Sequence, residues 1–225
     1  MLISVHMPKT AGTACLHLFE GIYGDRLRRD YDDKVLSNSI FSARKHAILS
    51  MTQNLLRPSS SINIDCIHGH FMPLKYRFLL GKDTFFVTWL RHPVQRLISH
   101  YHYWFRQPLD ERGGALRQRV VSENWSLNRF CMSEELRDIY SRMLWCFPLS
   151  QFDFIGVTEF FEEDLSCFTK KMFGSSLEIE VANLNPERRE DLYPIDTDMQ
   201  RKIEIFHKRD MMLYNEALEL RFTNQ

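Results

Sequence analysis

No excess charge of either sign marks this sequence: lysine plus arginine and aspartate plus glutamate each number 29, for a formal net charge of zero. Nothing global therefore draws the chain to nucleic acid or to an anionic membrane, and any anion site must be local. Cysteine is sparse. Cys15, Cys66, Cys131, Cys146 and Cys167 are widely spaced, odd in number, and form neither a C-x-x-C pair nor a zinc pattern, which favours buried reduced thiols over a disulfide framework. The chain opens directly into Leu2-Ile3-Ser4-Val5, without a basic segment, a long apolar run and a small-residue cleavage site. No stretch approaches the roughly 20 apolar residues of a membrane span. Repeats, low-complexity tracts and interdomain linkers are also missing. The expectation is a soluble cytoplasmic protein with no transmembrane segment and no nucleic-acid partner, built as a single domain over residues 1–225, since 44% hydrophobic and 13% aromatic content can fill one substantial core.

Short apolar, β-rich runs alternate with longer amphipathic ones, the pattern of an α/β protein with a mainly parallel central sheet flanked by helices. The runs predict strands at Leu2 to His6, Ile62 to Ile67, Thr84 to Leu90 and Phe154 to Val157. Helices are predicted at Thr13 to Tyr23, Pro73 to Leu80, Pro93 to Phe105, Glu134 to Cys146, Glu159 to Phe173 and Asp198 to Phe222, the last from apolar residues recurring near helical period. Asp25 to Asn38 and Gln107 to Arg129 are charged and polar, and both read as surface excursions from the sheet.

The first strand runs into His6-Met7-Pro8-Lys9-Thr10-Ala11-Gly12-Thr13, followed by the apolar helical pattern of Cys15, Leu16, Leu18, Phe19 and Ile22. A strand, a tight turn and a helix start gather backbone N–H groups at one point, where the helix dipole also favours an anion. Lys9 adds a movable positive charge, and Thr10 and Thr13 add hydroxyls. The order differs from a Walker A loop, in which the lysine follows the second glycine; an ordinary capped helix start is the plainer alternative. A second anion contact follows the third predicted strand, where Arg91 stands at the strand end, Pro93 suits the first helical turn, and Ser99 lies two turns along. Parallel strands open their carboxyl ends onto one crevice, so two such turns address the two ends of one nucleotide. The strand predicted at Ile62 to Ile67 leads into His68-Gly69-His70-Phe71 at the same sheet edge, and imidazole suits a general base.

Together, Pro8-Lys9-Thr10-Ala11-Gly12-Thr13 and Arg91-His92-Pro93-Val94-Gln95-Arg96-Leu97-Ile98-Ser99-His100-Tyr101 resemble the two nucleotide-binding elements of sulfotransferases that use 3′-phosphoadenosine 5′-phosphosulfate (PAPS). The likeness is greatest to the carbohydrate branch containing the hexuronic-acid 2-O-sulfotransferases, whose His-Gly-His is similar to His68-Gly69-His70. Phe154 to Glu159 and Arg209 to Tyr214 are similar to later landmarks, whereas Ala14 stands where many relatives have serine.

The resemblance implies a P-loop-NTPase-like sulfotransferase fold, PAPS as donor and 3′-phosphoadenosine 5′-phosphate as product. It implies that Lys9, Thr10, Ala11, Gly12 and Thr13 hold the 5′-phosphosulfate, that Arg91 and Ser99 hold the 3′-phosphate, and that Asn183 to Arg188 form a loop near the nucleotide. By the same likeness His70 is the base, His68 assists or orients it, and the acceptor is a saccharide-like hydroxyl. No metal is expected, because no clustered ligands and no strand-end magnesium acid are seen. The rival readings are a P-loop kinase using ATP and a nucleotide-binding scaffold without turnover.

Overall fold

The structure, a computed structural model, describes residues 1–33, 36, 39–56, 63–81, 83–108, 114–174 and 192–223. Its centre is a five-stranded sheet of β1 (Leu2–His6), β2 (Leu27–Arg29), β3 (Cys66–Gly69), β4 (Phe85–Leu90) and β5 (Phe154–Val157), in the order β2-β3-β1-β4-β5. All four pairings are parallel, with β1 between β3 and β4. Around it lie α1 (Gly12–Tyr23), α2 (Ile40–Leu56), α3 (Pro93–Arg106), α4 (Gly114–Ser122), α5 (Leu127–Cys131), α6 (Ile139–Met143), α7 (Phe161–Phe173), α8 (Thr197–Phe206) and α9 (Lys208–Thr223).

β1, β3, β4 and β5 are buried on both faces, and their twofold side-chain alternation divides the core. Ile3 and Val5 of β1, Ile67 of β3, Phe86 and Leu90 of β4 and Ile155 and Val157 of β5 pack on the side of α2, α6 and α9. Leu2, Cys66, Val87, Trp89 and Phe154 pack on the opposite side against Cys15, Leu18 and Phe19 of α1 and Leu165 and Phe168 of α7. A third cluster joins α3 to α4, α5 and α8 through Leu97, Trp104, Val120, Phe130 and Ile203. Ser4, His6 and His68 alternate onto the α1 side, which places polar groups at the sheet's upper edge under the start of that helix.

Several boundaries depart from those predicted. The third strand is Cys66–Gly69, because its pairing with β1 begins at Leu2↔Cys66 and runs to Val5↔Gly69; His68 therefore lies inside the strand. Ile62 of the predicted strand falls outside the described residues. The charged stretch from Asp25 is not wholly an excursion: Leu27–Arg29 pairs with β3 as the edge strand β2, and Asp30 and Asp33 beyond it are buried. Gln107 to Arg129 likewise contains α4 and most of α5. Pro73–Leu79 is a 3-10 helix, and Glu134 to Cys146 divides into a 3-10 turn at Glu134–Leu136 and α6. The long C-terminal helix breaks at His207, whose fully buried ring bonds the Cys131 carbonyl oxygen through Nε2 at 2.7 Å and accepts from the Asp138 amide through Nδ1 at 3.3 Å.

Asp30 is made tolerable in the interior by residues 45 and 46 positions away: Lys75 Nζ and the Tyr76 hydroxyl donate to its carboxylate at 3.0 and 2.7 Å. Asp33 accepts from the Met72 amide at 2.7 Å. This network fixes the chain leaving β2 against the top of β3, where Gly69 is required, since a Cβ there would stand 1.8 Å from the Asp30 carbonyl oxygen. Burial would push the Asp30 carboxyl up, but the hydrogen bond and charge of Lys75, with Tyr76 and the Asp32 amide, outweigh it and hold the group below its usual 3.8. A depressed carboxylate contributes stability above its unfolded pKa and loses it as pH falls through the folded value. Lys75→Met, which strands a buried carboxylate, is expected to cost about 3–5 kcal/mol in urea unfolding at neutral pH. The deficit against the native chain should narrow on acidification below about pH 4.

Candidate active site

Three parallel strands bring the candidate residues to one edge. β1 ends at His6 and turns through Met7 to Ala11 into α1; β3 ends at Gly69 and delivers His70; β4 ends at Leu90 and delivers Arg91. Because β1 lies between the other two, its loop is flanked by His70 on one side and Arg91 on the other, with strands spaced about 4.8 Å apart.

The β1–α1 turn is built against local preference. Lys9 and Ala11 both take the left-handed region, with φ of 68° and 60°, at a cost of roughly 1–2 kcal/mol each for residues with a Cβ. Strain of this kind is common at functional sites and in anion-binding turns, although in this chain Asn124, Asp138 and Cys146 also take positive φ. The Thr10 hydroxyl is buried and donates to the Met7 carbonyl oxygen at 2.9 Å, which closes the turn from within. Ala11 caps α1 without a side-chain hydrogen bond, and no acidic residue occupies the first helical turn. The helix N-terminus, with Gly12 buried and Thr13 exposed, is thus an electropositive end suited to an anion.

Lys9 Nζ lies 3.8 Å from the centre of the Tyr103 ring on α3. Burial first, then the like charges of Arg91 and Arg106, lower its ammonium from 10.5 to about 8. Three cations from the β1 loop, the β4 end and the last turn of α3 therefore share one neighbourhood. Arg91 is held by its backbone: its amide donates to the Tyr140 hydroxyl at 3.1 Å, and that hydroxyl donates to the Arg91 carbonyl oxygen at 2.8 Å. Beside it the Thr158 hydroxyl donates to the Leu90 carbonyl oxygen at 2.9 Å, and the His92 amide donates to Glu159 Oε1, also at 2.9 Å. The Arg91 guanidinium faces the Tyr193 ring at 5.7 Å, and Gln95 fixes that residue through both its backbone groups. Ser99 is buried on α3. The second arginine of the same motif, Arg96, turns inward instead, fully buried over the Tyr140 ring.

On the other flank His70 Nδ1 lies 2.7 Å from the His6 carbonyl oxygen. A carbonyl only accepts, so Nδ1 carries the proton and Nε2 the lone pair. Burial, against the opposing hydrogen bond that His70 donates to the His6 carbonyl and with a smaller push from Lys9, lowers His70 to about 4, so the ring is neutral at ordinary pH. His68 is buried in β3 with Nδ1 2.9 Å from Ser4 Oγ. Burial, with the charges of His70 and Arg29, lowers it to about 3, although the Gly12 backbone beside it pulls the other way. The His6 ring stacks on both histidines, and Tyr31 meets His70 edge-on with centroids 5.1 Å apart. The imidazoles stack face to face, and among the described residues no group of three His, Cys, Asp or Glu could hold a metal ion.

The structure thus gathers Lys9, Thr10, Ala11, Gly12, Thr13, His68, His70 and Arg91 at one sheet edge, with Ser99 on the helix that follows Arg91. Asn183 to Arg188 lie outside the described residues. Sequence reasoning missed His6, Tyr31, Tyr103 and Arg106 as members of the site. His6 could have been noticed as the last residue of the strand, and Tyr103 and Arg106 from their position on the helix that begins after Arg91; Tyr31 carried no local signal.

If the three cations share one site, removing either arginine relieves Lys9 of a like charge and raises its pKa above about 8. Arg91→Ala is expected to raise it more than Arg106→Ala, as read by NMR titration of ¹³Cε-labelled lysine. An unchanged Lys9 titration in both variants would show that the cations act separately.

No protein-family profile matches the chain, and no curated protein matches it. Among the described residues no helix is long and apolar enough to cross a membrane. Among solved structures, the chain is similar to a sulfotransferase from Alicyclobacillus acidocaldarius at 14% sequence identity and a TM-score of 0.45, over 97% of this chain and 95% of that one.

Proposed function

We propose that this chain is a single-domain sulfotransferase that moves a sulfuryl group from PAPS to an acceptor hydroxyl, with a saccharide-like acceptor as the first class to test. The observation that carries the reading is the order across the sheet edge: a neutral imidazole after β3, a strained cationic loop after β1, and a clamped arginine after β4. A donor laid across that edge puts its 5′-phosphosulfate on the β1 loop, its 3′-phosphate toward Arg91 and Ser99, and its sulfur toward His70. The amides of Thr10, Ala11, Gly12 and Thr13 cradle the 5′ end, and Lys9 is the mobile charge among them.

In the proposed reaction His70 Nε2 takes the proton of the acceptor hydroxyl as its oxygen forms a bond to sulfur. The bond between sulfur and the bridging phosphate oxygen breaks in line. The electron pair leaves with 3′-phosphoadenosine 5′-phosphate, and Lys9 and the loop amides stabilise the charge that develops there. His68, buried against Ser4, touches no substrate in this scheme and acts by orienting the stack around His70.

Calorimetry with 3′-phosphoadenosine 5′-phosphate, beside ADP, tests the donor site. The expected result is magnesium-independent binding that prefers the 3′-phosphate and weakens by about tenfold or more in Arg91→Ala, since a hydrogen bond to a charged group is worth about 1.5–3 kcal/mol. Equal binding of ADP would overturn the assignment in favour of a kinase or a silent scaffold. Once an acceptor is found, kcat/KM should rise as His70 deprotonates near pH 4 and fall as Lys9 deprotonates near pH 8. His70→Ala should remove the activity.

A further inference from the structure

His6, the last residue of β1, enters the candidate site three times. Its carbonyl oxygen accepts from His70 Nδ1 at 2.7 Å. Its ring lies nearly parallel to that of His70, with centroids 4.2 Å apart and planes 25° apart, and it meets His68 at 5.3 Å and 16°. It also packs against the start of α1, where a Cβ on Gly12 would stand 1.8 Å from the ring, so glycine at that position makes room for it.

We propose that His6 is a positioning residue for His70: its backbone carbonyl selects the tautomer with the lone pair on Nε2, and its ring, backed by Gly12 and His68, fixes the plane in which that lone pair is presented. The inference rests on the reading of His70 as the base. A hydrogen bond to Nδ1 alone leaves the imidazole free to rock about that contact, and a face-to-face neighbour removes this freedom. Such preorganisation matters because misplacing a reacting atom by about 1 Å can cost about 100-fold in rate.

The groups facing His70 are His6 from β1, Lys9 from the loop, His68 from β3, Tyr31 from the segment after β2 and His100 from α3. Lys9 is already a like charge for a protonated His70, so the stacking partner has to be uncharged. Burial, with His70, His68 and Lys9 nearby, pushes the His6 pKa well below its ordinary value. A neutral aromatic ring is therefore the part of His6 that the role requires.

The test is NMR of the His70 ring in the protein alone, assigned with His70→Gln. In the native chain the ring should be a single Nδ1–H tautomer with a rigid order parameter near 0.85, and His6→Phe should keep both. His6→Ala should lower the order parameter below about 0.6 and let the His70 pKa climb from about 4 toward 6.5 as water enters. His6→Leu, which preserves apolar volume without an aromatic face, should loosen the ring while the protein stays folded, and replaces the alanine variant if that one unfolds. A His70 ring as rigid in the leucine variant as in the native chain would overturn the proposal, as would a His6→Phe ring as loose as the leucine one. These readouts need no turnover, so they stand apart from the proposed activity: transfer that survives His70→Ala would remove the base assignment and leave the His6 contact intact.

Discussion

Parallel strands all point the same way, and this constraint organises everything above it. β1 is hydrogen-bonded on both sides by parallel neighbours, so the ends of β3, β1 and β4 open at one edge without any loop having to reach across the molecule. Each contributes one chemical element there: an imidazole, a strained cationic turn, a clamped arginine. Neither Lys9 nor Arg91 could tolerate this closeness on a flexible surface; they are held because the strands beneath them are buried on both faces and cannot separate.

The supports beneath the site are as specific as the site itself. Tyr140 grips the backbone of Arg91 through both its donor and acceptor capacity, and it is fully buried. The Asp30–Lys75–Tyr76 network secures the segment that sets Tyr31 against His70. Gly12 and Gly69 serve for lack of a side chain: one admits the His6 ring, the other admits the chain beyond β2. These contacts convert burial energy into fixed orientation at the sheet edge.

The elements most legible in the sequence were those whose own residues carry the signal. β1, β4 and β5 are short apolar runs, and α1 and α3 follow turns with recognisable chemistry, so the strand–turn–helix units holding Lys9 and Arg91 could be read directly. β2 was hidden because Leu27-Arg28-Arg29 is an edge strand of three residues with two charges. α2 was hidden because it buries only Ala43 and Ala47, and so shows no apolar stripe of large residues. The burial of Asp30 depends on a lysine 45 residues away, and the stacking of His6 on His70 spans 64 residues. No local pattern encodes either. The break at His207 has a similar origin: the residue fits a helical pattern, but its ring is recruited by Cys131 and Asp138.

The all-parallel sheet also bears on how the protein is made. Among the described residues no strand pairing is a hairpin, so each of these contacts must be closed over a long stretch of chain; β1 meets β3 across 64 residues and β4 across 83. Chains dominated by such distant contacts pay their loop-closure entropy early and fold slowly compared with chains of local contacts. His6 cannot find His70 until β1 has paired with β3, nor Lys9 come near Arg91 until β1 has paired with β4. Assembly of the site therefore waits on these distant pairings, and a chain arrested before them would present bare strand edges rather than a partly formed site.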